Sequence, residues 1–154
     1  MRETQILKSA AKEQRGFTLV EVAIVGVILL ILAAALLPGY LKQRDDAKLN
    51  SALIQLEKNF PTAIMTQVSR TMDCNSSTVT KQLLIDRGLP DVTPWNTSWT
   101  ISSVTSNTVT ISYPLDTGDA KAATDLVAAL SKSNNVASAA ATGNSSVTVG
   151  YRCN

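Results

Sequence analysis

The chain has 154 residues, which gives room for one modest domain and one further long element. Its formal net charge is only +2, so its charge does not indicate a nucleic-acid-binding protein. It also contains no histidine, the commonest general base and metal ligand, and no phosphate-binding loop or nucleophile elbow. We therefore predict a non-enzyme without cofactor or metal, although residue types alone leave a Ser–Lys hydrolase open.

The excess of positive over negative charge lies entirely at the start of the chain. Residues 1–16 contain four basic and two acidic side chains, whereas residues 17–154 contain ten of each. The apolar run that follows the basic residues extends from Phe17 to Leu37. Its only residues that are not plainly apolar are Thr18, Glu21 and Gly26.

This apolar run is long enough to span a membrane. A helix from residue 17 to residue 38 would be about 33 Å long, and a bilayer core is about 30 Å thick. Because basic residues precede the run and a neutral polar region follows it, the positive-inside rule predicts a cytoplasmic N-terminus and an outward-facing segment 42–154.

A cleaved signal peptide and a plain single-pass anchor are the ordinary alternatives. The small residues Ala33-Ala34-Ala35 could imitate a signal-peptidase site at the end of the run. Two details argue against both alternatives. The run is longer than a typical signal core, and it begins with Gly16-Phe17 directly after the charged leader.

Glu21 is the unusual residue of the run. A carboxylate within an apolar helix costs at least about 2.5 kcal/mol on insertion scales, so it usually marks a function or a partner. One interpretation is that Glu21 simply reaches the cytoplasmic interface. The other is that cleavage before Phe17 frees an amine one turn away, which would pair with Glu21 of an adjacent subunit and fix the axial register.

The segment Gly16-Phe17-Thr18-Leu19-Val20-Glu21, with its basic leader and about twenty following apolar residues, resembles the N-terminus of type IV prepilins. Pro38 matches the helix-weakening proline of that family, and the resemblance covers roughly residues 10–60. It implies that a prepilin peptidase cuts between Gly16 and Phe17 and methylates the Phe17 amine. An inner-membrane assembly platform would then extract the subunit from the membrane and add it to a helical homo-oligomer, the extracellular filament called a pilus.

The resemblance also implies three parts and their roles. Residues 1–16 are a cleaved leader, residues 17–41 a transmembrane and filament-core helix, and residues 42–154 an amphipathic helix with a globular head. Within the core, Glu21 and Pro38 are expected to serve assembly, Pro38 by letting the helix melt locally. The small residues of the run, Gly26 and Ala33–Ala35, would permit close helix packing.

Beyond Pro38 the chain becomes amphipathic, as expected for a helix that lays one face on a domain. Its apolar positions are Leu41, Leu49, Leu53, Leu56, Phe60 and Ile64. Pro61 is predicted to kink or restart this helix, because proline lacks an amide donor and crowds the preceding turn.

The remaining segments predict a small α+β head. Residues 79–88 favour a short helix or turn, and residues 99–113 a hairpin around Ser106-Asn107. Residues 120–130 indicate a helix and residues 145–151 a final strand. The expected fold class is α+β, with an apolar helical half that protrudes and an amphipathic half packed on a small antiparallel sheet, as in the pilin fold.

Two pairs of residues in the head invite a specific interpretation. Cys74 and Cys153 could be two buried thiols, but in an exported chain we expect them to form a disulfide. Trp95 and Trp99 could form an exposed surface contact, although core or turn packing is the commoner role for two aromatic residues beside a strand.

The favoured function is the structural subunit of a type IV pilus, most similar to a major pilin, which serves adhesion, twitching motility or cell contact. The alternatives are a minor pilin, a type II secretion pseudopilin and a competence pilin for DNA uptake. Pseudopilins often carry a calcium-binding loop, whereas Asp116 and Asp119 stand alone beside Gly118. The neutral segment 17–154 gives DNA binding little electrostatic support, although clustered lysines and arginines on an assembled surface could still bind DNA.

Overall fold

The computed structural model describes residues 18–153, and contacts divide the chain into two units between Tyr40 and Leu41. In the described part of the first unit there is only the N-terminal portion of helix α1 (Leu19–Ile54). In its described residues, 41–153, the second unit contains the rest of α1, a π-helical turn, three further helices and four strands. The expected α+β class, with a long N-terminal helix and a small antiparallel sheet, is confirmed.

The helical elements of the second unit follow one another up to residue 85, and one further helix lies between the second and third strands. After α1 come the π-turn (Gln55–Asn59), α2 (Phe60–Thr71) and α3 (Lys81–Ile85), and α4 (Ala122–Leu130) follows the first two strands. The predicted short helix or turn at 79–88 and the predicted helix at 120–130 are thus confirmed, each over a shorter range of residues.

The four strands form one antiparallel sheet in the order β1-β2-β4-β3. Their bounds are Thr100–Val104 for β1, Thr108–Pro114 for β2, Val136–Thr142 for β3 and Ser146–Arg152 for β4. The predicted hairpin and the predicted final strand are confirmed. β4, the last strand, lies between β2 and β3, and both pairings involve nearly its whole length.

The π-turn lies where Pro61 was predicted to restart the helix. Pro61 occupies the first turn of α2, where its missing N–H costs least. The amide of Phe60 donates to the carbonyl of Gln55, five residues earlier, so the turn is wider than an α-turn. The Leu56 carbonyl, which would accept from Phe60 in an α-helix, accepts instead from the Tyr151 hydroxyl at 2.7 Å. The restart is confirmed, and a tyrosine from β4 satisfies the carbonyl that it releases.

Phe60 lies at the centre of the core between the helix and the sheet. Its ring contacts three buried aromatic rings, edge-on with Trp99 and Tyr113 and stacked with Tyr151, at centroid distances of 4.9, 6.0 and 6.0 Å. Edge-on and stacked pairs of this kind contribute beyond the area that they bury. The inward residues of β2 and β4 complete the core, and these are Val109, Ile111, Tyr113, Val147, Val149 and Tyr151.

The apolar stripe of the long helix begins later than the sequence predicted. Leu41 is 53% exposed, so its assignment to the packed face was wrong. Burial starts at Lys48, with Leu49 and Leu53 half-buried, because the head covers the helix only from that turn onward. The last three positions of the stripe, Leu56, Phe60 and Ile64, are fully buried as expected.

Both tryptophans lie in the core, which confirms the packing interpretation. Trp99 is completely buried and its indole N–H donates to the Pro90 carbonyl at 2.7 Å. Trp95 is 7% exposed, and it follows Pro94 in the turn that the Val92–Ser98 bridge closes. Its indole N–H is buried and has no hydrogen-bond partner among residues 18–153.

Candidate assembly site

The N-terminal part of α1 exposes apolar side chains around its whole circumference. From Leu19 to Leu41 every residue is exposed except Gly26, which is half-buried, and Leu19 and Leu30 are exposed by 86% and 72%. A continuous apolar surface of this size is not stable in water, and it marks a site for membrane or protein contact. By length and composition the helix can cross a membrane.

Thr18 fixes the start of this helix, a role that sequence analysis missed. Its hydroxyl oxygen accepts from the amide of Glu21 at 3.3 Å, and its carbonyl accepts from the amide of Val22 at 3.2 Å. This is one half of a capping box, in which a threonine precedes a glutamate by three residues. The pattern Thr-x-x-Glu was visible in the sequence, and the hydrogen bond uses the backbone amide of Glu21, not its carboxylate.

Glu21 is exposed in the first turn of α1, where a carboxylate also interacts favourably with the helix dipole. Within residues 18–153 no cation lies within ion-pair distance of it, since the only ion pair there joins Lys81 and Asp91. Gly16 and Phe17, the predicted cleavage and methylation site, lie outside the described residues.

The helix continues through Pro38 and Gly39 without interruption. Pro38 has no amide to donate to the carbonyl of Ala34, so this turn holds one backbone hydrogen bond fewer than its neighbours. Apart from the backbone of its own helix and its chain neighbours, a methyl group added at Gly26 or Gly39 would meet no atom of residues 18–153 within 4 Å, so both glycines present open backbone at which another helix can approach. Glu21 and Pro38 lie on the same helix, about 26 Å apart along its axis.

The structure joins Cys74 and Cys153 in a disulfide, as predicted, with their Cα atoms 6.2 Å apart. Both sulfurs are buried, and the bond closes a separation of 79 residues. The amide of Cys153 also donates to the Asn107 carbonyl at 3.0 Å, which fixes the end of β4 beside the β1–β2 turn. The two cysteines thereby connect the segment after α2 to the end of the sheet.

Comparison with known proteins agrees with this arrangement. Residues 11–37 match the family described as the prokaryotic N-terminal methylation motif. The type IV wide pilus major component PilA4 of Thermus thermophilus is 36% identical over 96 residues, which cover 62% of this chain and 70% of that protein. No solved structure gives a significant match.

The motif, the relative and the fold thus agree with one another. The methylation motif covers the start of α1, where the exposed apolar surface lies, and the relative is matched over most of its length. The precursor is therefore membrane-anchored before it joins a filament of like subunits. This chain belongs to the type IV pilin family and is a structural subunit of a pilus.

Proposed function

We propose that this chain is the major subunit of an extracellular type IV pilus. The observation that carries the proposal is the apolar surface of α1 from Leu19 to Leu41, exposed on all sides and bearing a single carboxylate at its first turn. Such a helix leaves lipid only if other apolar helices replace the lipid. The similarity to a major component of the Thermus thermophilus wide pilus favours a major over a minor subunit.

The proposed life cycle has three steps. Residues 1–16 act as a cytoplasmic leader, and residues 17–41 hold the precursor in the inner membrane with residues 42–154 outside. Prepilin peptidase then cuts between Gly16 and Phe17 and methylates the new amine. An assembly platform finally moves the subunit into the filament, where the Phe17 amine of one subunit meets Glu21 of the next.

The proposal is tested by purifying surface filaments and measuring the intact mass of their main protein. We expect a chain that begins at Phe17 and is heavier by one methyl group. A chain that begins near residue 36, at a signal-peptidase site, would contradict the proposal.

Whether the chain is a major or a minor subunit is tested separately, by electron microscopy of a strain that lacks the gene. Loss of all such filaments is expected of a major subunit, whereas filaments that persist in normal number would indicate a minor pilin or pseudopilin. The finer roles that we propose for the filament, adhesion, twitching motility and cell contact, would be lost together with the filaments.

A further inference from the structure

A buried glutamine holds one arginine of the head in a fixed orientation. Gln67 of α2 is only 4% exposed, although its side chain is polar. Its amide nitrogen donates to the Thr78 carbonyl at 2.9 Å, and its amide oxygen accepts from Nε of Arg87 at 3.0 Å. A buried amide is stable only when its polar atoms are bonded, so these two bonds fix the glutamine and the arginine together.

The arginine that is held in this way keeps most of its donors free. A guanidinium has five N–H groups, and within residues 18–153 only the Nε–H of Arg87 has a hydrogen-bond partner. Its two terminal nitrogens form the flat fork that binds oxygen atoms of anions. Arg87 is half-buried and has no ion-pair partner in this part of the chain, where the only ion pair joins Lys81 and Asp91.

Arg87 lines a groove between α2 and the turn that follows α3. The groove has a volume of about 280 Å³, and its residues are Lys58, Asn59, Thr62, Ala63, Thr66, Arg87, Gly88 and Leu89. Those from the π-turn and α2 recur at helical spacing, so they form one continuous wall opposite the turn. One water molecule requires only about 10–15 Å³ of such volume, so the groove can hold a small ion together with several waters.

This groove is positively charged. Lys58 and Arg87 line it, and no carboxylate of residues 18–153 does. Each of the two cations has an acidic neighbour in the sequence that lies outside the groove, Glu57 and Asp86. The carboxylate of Asp86 accepts instead from the Gln82 side chain at 3.1 Å. Two cations that line one groove without an acidic partner favour the binding of an anion.

The hydroxyl groups of the groove indicate which anion fits. Thr62 donates its hydroxyl proton to the Lys58 carbonyl, and Thr66 donates its proton to the Thr62 carbonyl, each at 2.7 Å. Because their protons are used in this way, the two hydroxyl oxygens can only accept further hydrogen bonds. Phosphate matches donors and acceptors alike, since near neutral pH it is negatively charged and still carries an O–H group. Sulfate and ionised carboxylates carry none.

We propose that this groove is a binding site for inorganic phosphate. The terminal nitrogens of Arg87 and the ammonium group of Lys58 donate to the phosphate oxygens, and the phosphate O–H donates to a threonine hydroxyl. Gln67 is a positioning residue, since it bonds to the arginine and not to the anion. All of these residues belong to the second unit, so the site does not depend on the proposed filament.

Calorimetric titration of the full-length chain in detergent micelles tests the site. At constant ionic strength and neutral pH we expect saturable binding of sodium phosphate with a Kd below about 1 mM. Sulfate should bind at least about tenfold more weakly, because it cannot donate to the threonine oxygens. The absence of saturable phosphate binding, or equal affinities for phosphate and sulfate, would overturn the proposal.

Removal of either cation tests where the anion binds. Lys58→Gln and Arg87→Gln are each expected to weaken phosphate binding at least about tenfold. Lys58 is exposed, so its substitution leaves the fold intact even if that of Arg87 does not. Arg70→Gln is the matched control, because Arg70 is an exposed arginine of the same helix that does not line the groove. Wild-type affinity in Lys58→Gln, or an equal loss in the control, would place the anion elsewhere and overturn the site.

Two further variants test whether the orientation of the arginine matters beyond its charge. Gln67→Leu keeps both cations and places an apolar side chain of similar size in the buried position, and Arg87→Lys keeps the charge without the fork. Each should weaken phosphate binding at least about fivefold, although the net charge of the groove is unchanged. Thermal unfolding of the same samples measures the folded fraction. Wild-type affinity in both folded variants would show that charge alone suffices and would overturn the positioning role of Gln67.

Discussion

At the scale of single residues, the two tryptophans of the loop before β1 differ by one hydrogen bond. The indole N–H of Trp99 donates to the Pro90 carbonyl, whereas that of Trp95 is buried without a partner in the part of the chain that the structure describes. A buried donor without a partner has lost its hydrogen bonds to water and forms no hydrogen bond in the protein that would offset this cost. Removal of the Trp99 N–H should therefore lower the stability of the fold more than removal of the Trp95 N–H.

We predict that Trp99→Phe lowers the free energy of unfolding by about 1–3 kcal/mol beyond the effect of Trp95→Phe. Each substitution removes one ring of similar size, so each is the control for the other. Thermal unfolding of the detergent-solubilised subunit measures the difference. Equal losses for both variants would mean that a water or another group satisfies Trp95.

At the scale of elements, the π-turn depends on a strand that is far away in sequence. The Tyr151 hydroxyl donates to the Leu56 carbonyl, and the Tyr113 hydroxyl donates to the Gln55 side chain at 2.7 Å. Two neighbouring residues of the turn are thus bonded to the two central strands. The turn is stable because the sheet supplies the donors.

We predict that Tyr151→Phe lowers the free energy of unfolding by about 1–3 kcal/mol, because it leaves the Leu56 carbonyl buried and unpaired. Tyr113→Phe should cost less, since a glutamine side chain can turn toward another partner. Chemical denaturation of the solubilised subunit compares the two. A larger loss for Tyr113→Phe would show that the π-turn carbonyl is satisfied in another way.

The same tyrosines predict how stability depends on pH. Burial raises the pKa of Tyr113, and burial together with the neighbouring Tyr113 raises the pKa of Tyr151, each above its usual value. Above about pH 10 the unfolded chain loses these protons and the folded chain keeps them, so the unfolded state binds fewer protons.

The stability supplied by the neutral tyrosines should thus be complete below pH 10 and fall above it. The slope should be at most about 1.4 kcal/mol per pH unit for each tyrosine. Denaturation midpoints from pH 8 to 12 measure the decline, and Tyr113→Phe should make it shallower. A midpoint that stays level above pH 10 would contradict the prediction.

Sequence patterns predicted most of these elements, and the exceptions have physical reasons. The hairpin, α4 and β4 follow from alternation, helical spacing and turn residues, and Glu21 and the cysteines stood out by their chemistry. Strand β3 was missed because Val-Ala-Ser-Ala-Ala-Ala-Thr is rich in alanine, which has low strand propensity, and only its pairing with β4 makes it a strand.

At the scale of the whole molecule, the disulfide connects the end of the helical region to the end of the sheet. Because it spans 79 residues, the entropy model assigns it roughly 4–5 kcal/mol of stability through the unfolded chain. We predict that Cys74→Ser with Cys153→Ser lowers the free energy of unfolding by about that amount. Urea denaturation with and without reductant measures it, and the double variant should not respond to reductant.

The proposed role of Glu21 in assembly can be tested by substitution. We predict that Glu21→Val leaves the precursor in the membrane at its normal level but stops or slows filament formation, because the charge that fixes the register is lost. Glu21→Gln is the control for polarity without charge and should fail in the same way. Filament counts against membrane-bound subunit provide the measurement, and a normal count from Glu21→Val would show that the charge is dispensable.

The central position of β4 in the sheet also determines when the head can complete its folding. Ribosomes make the chain from its N-terminus, so the β1–β2 hairpin and the residues of β3 are made before the strand that must lie between them. Until residues 146–152 arrive, β2 has an unpaired edge, the residues of β3 have no strand partner, Phe60 lacks the Tyr151 ring, and Cys74 has no partner. Of the four strands in residues 18–153, the last to be synthesised is thus the one that completes the core, so a chain truncated or stalled before it yields no finished head for the filament to accept.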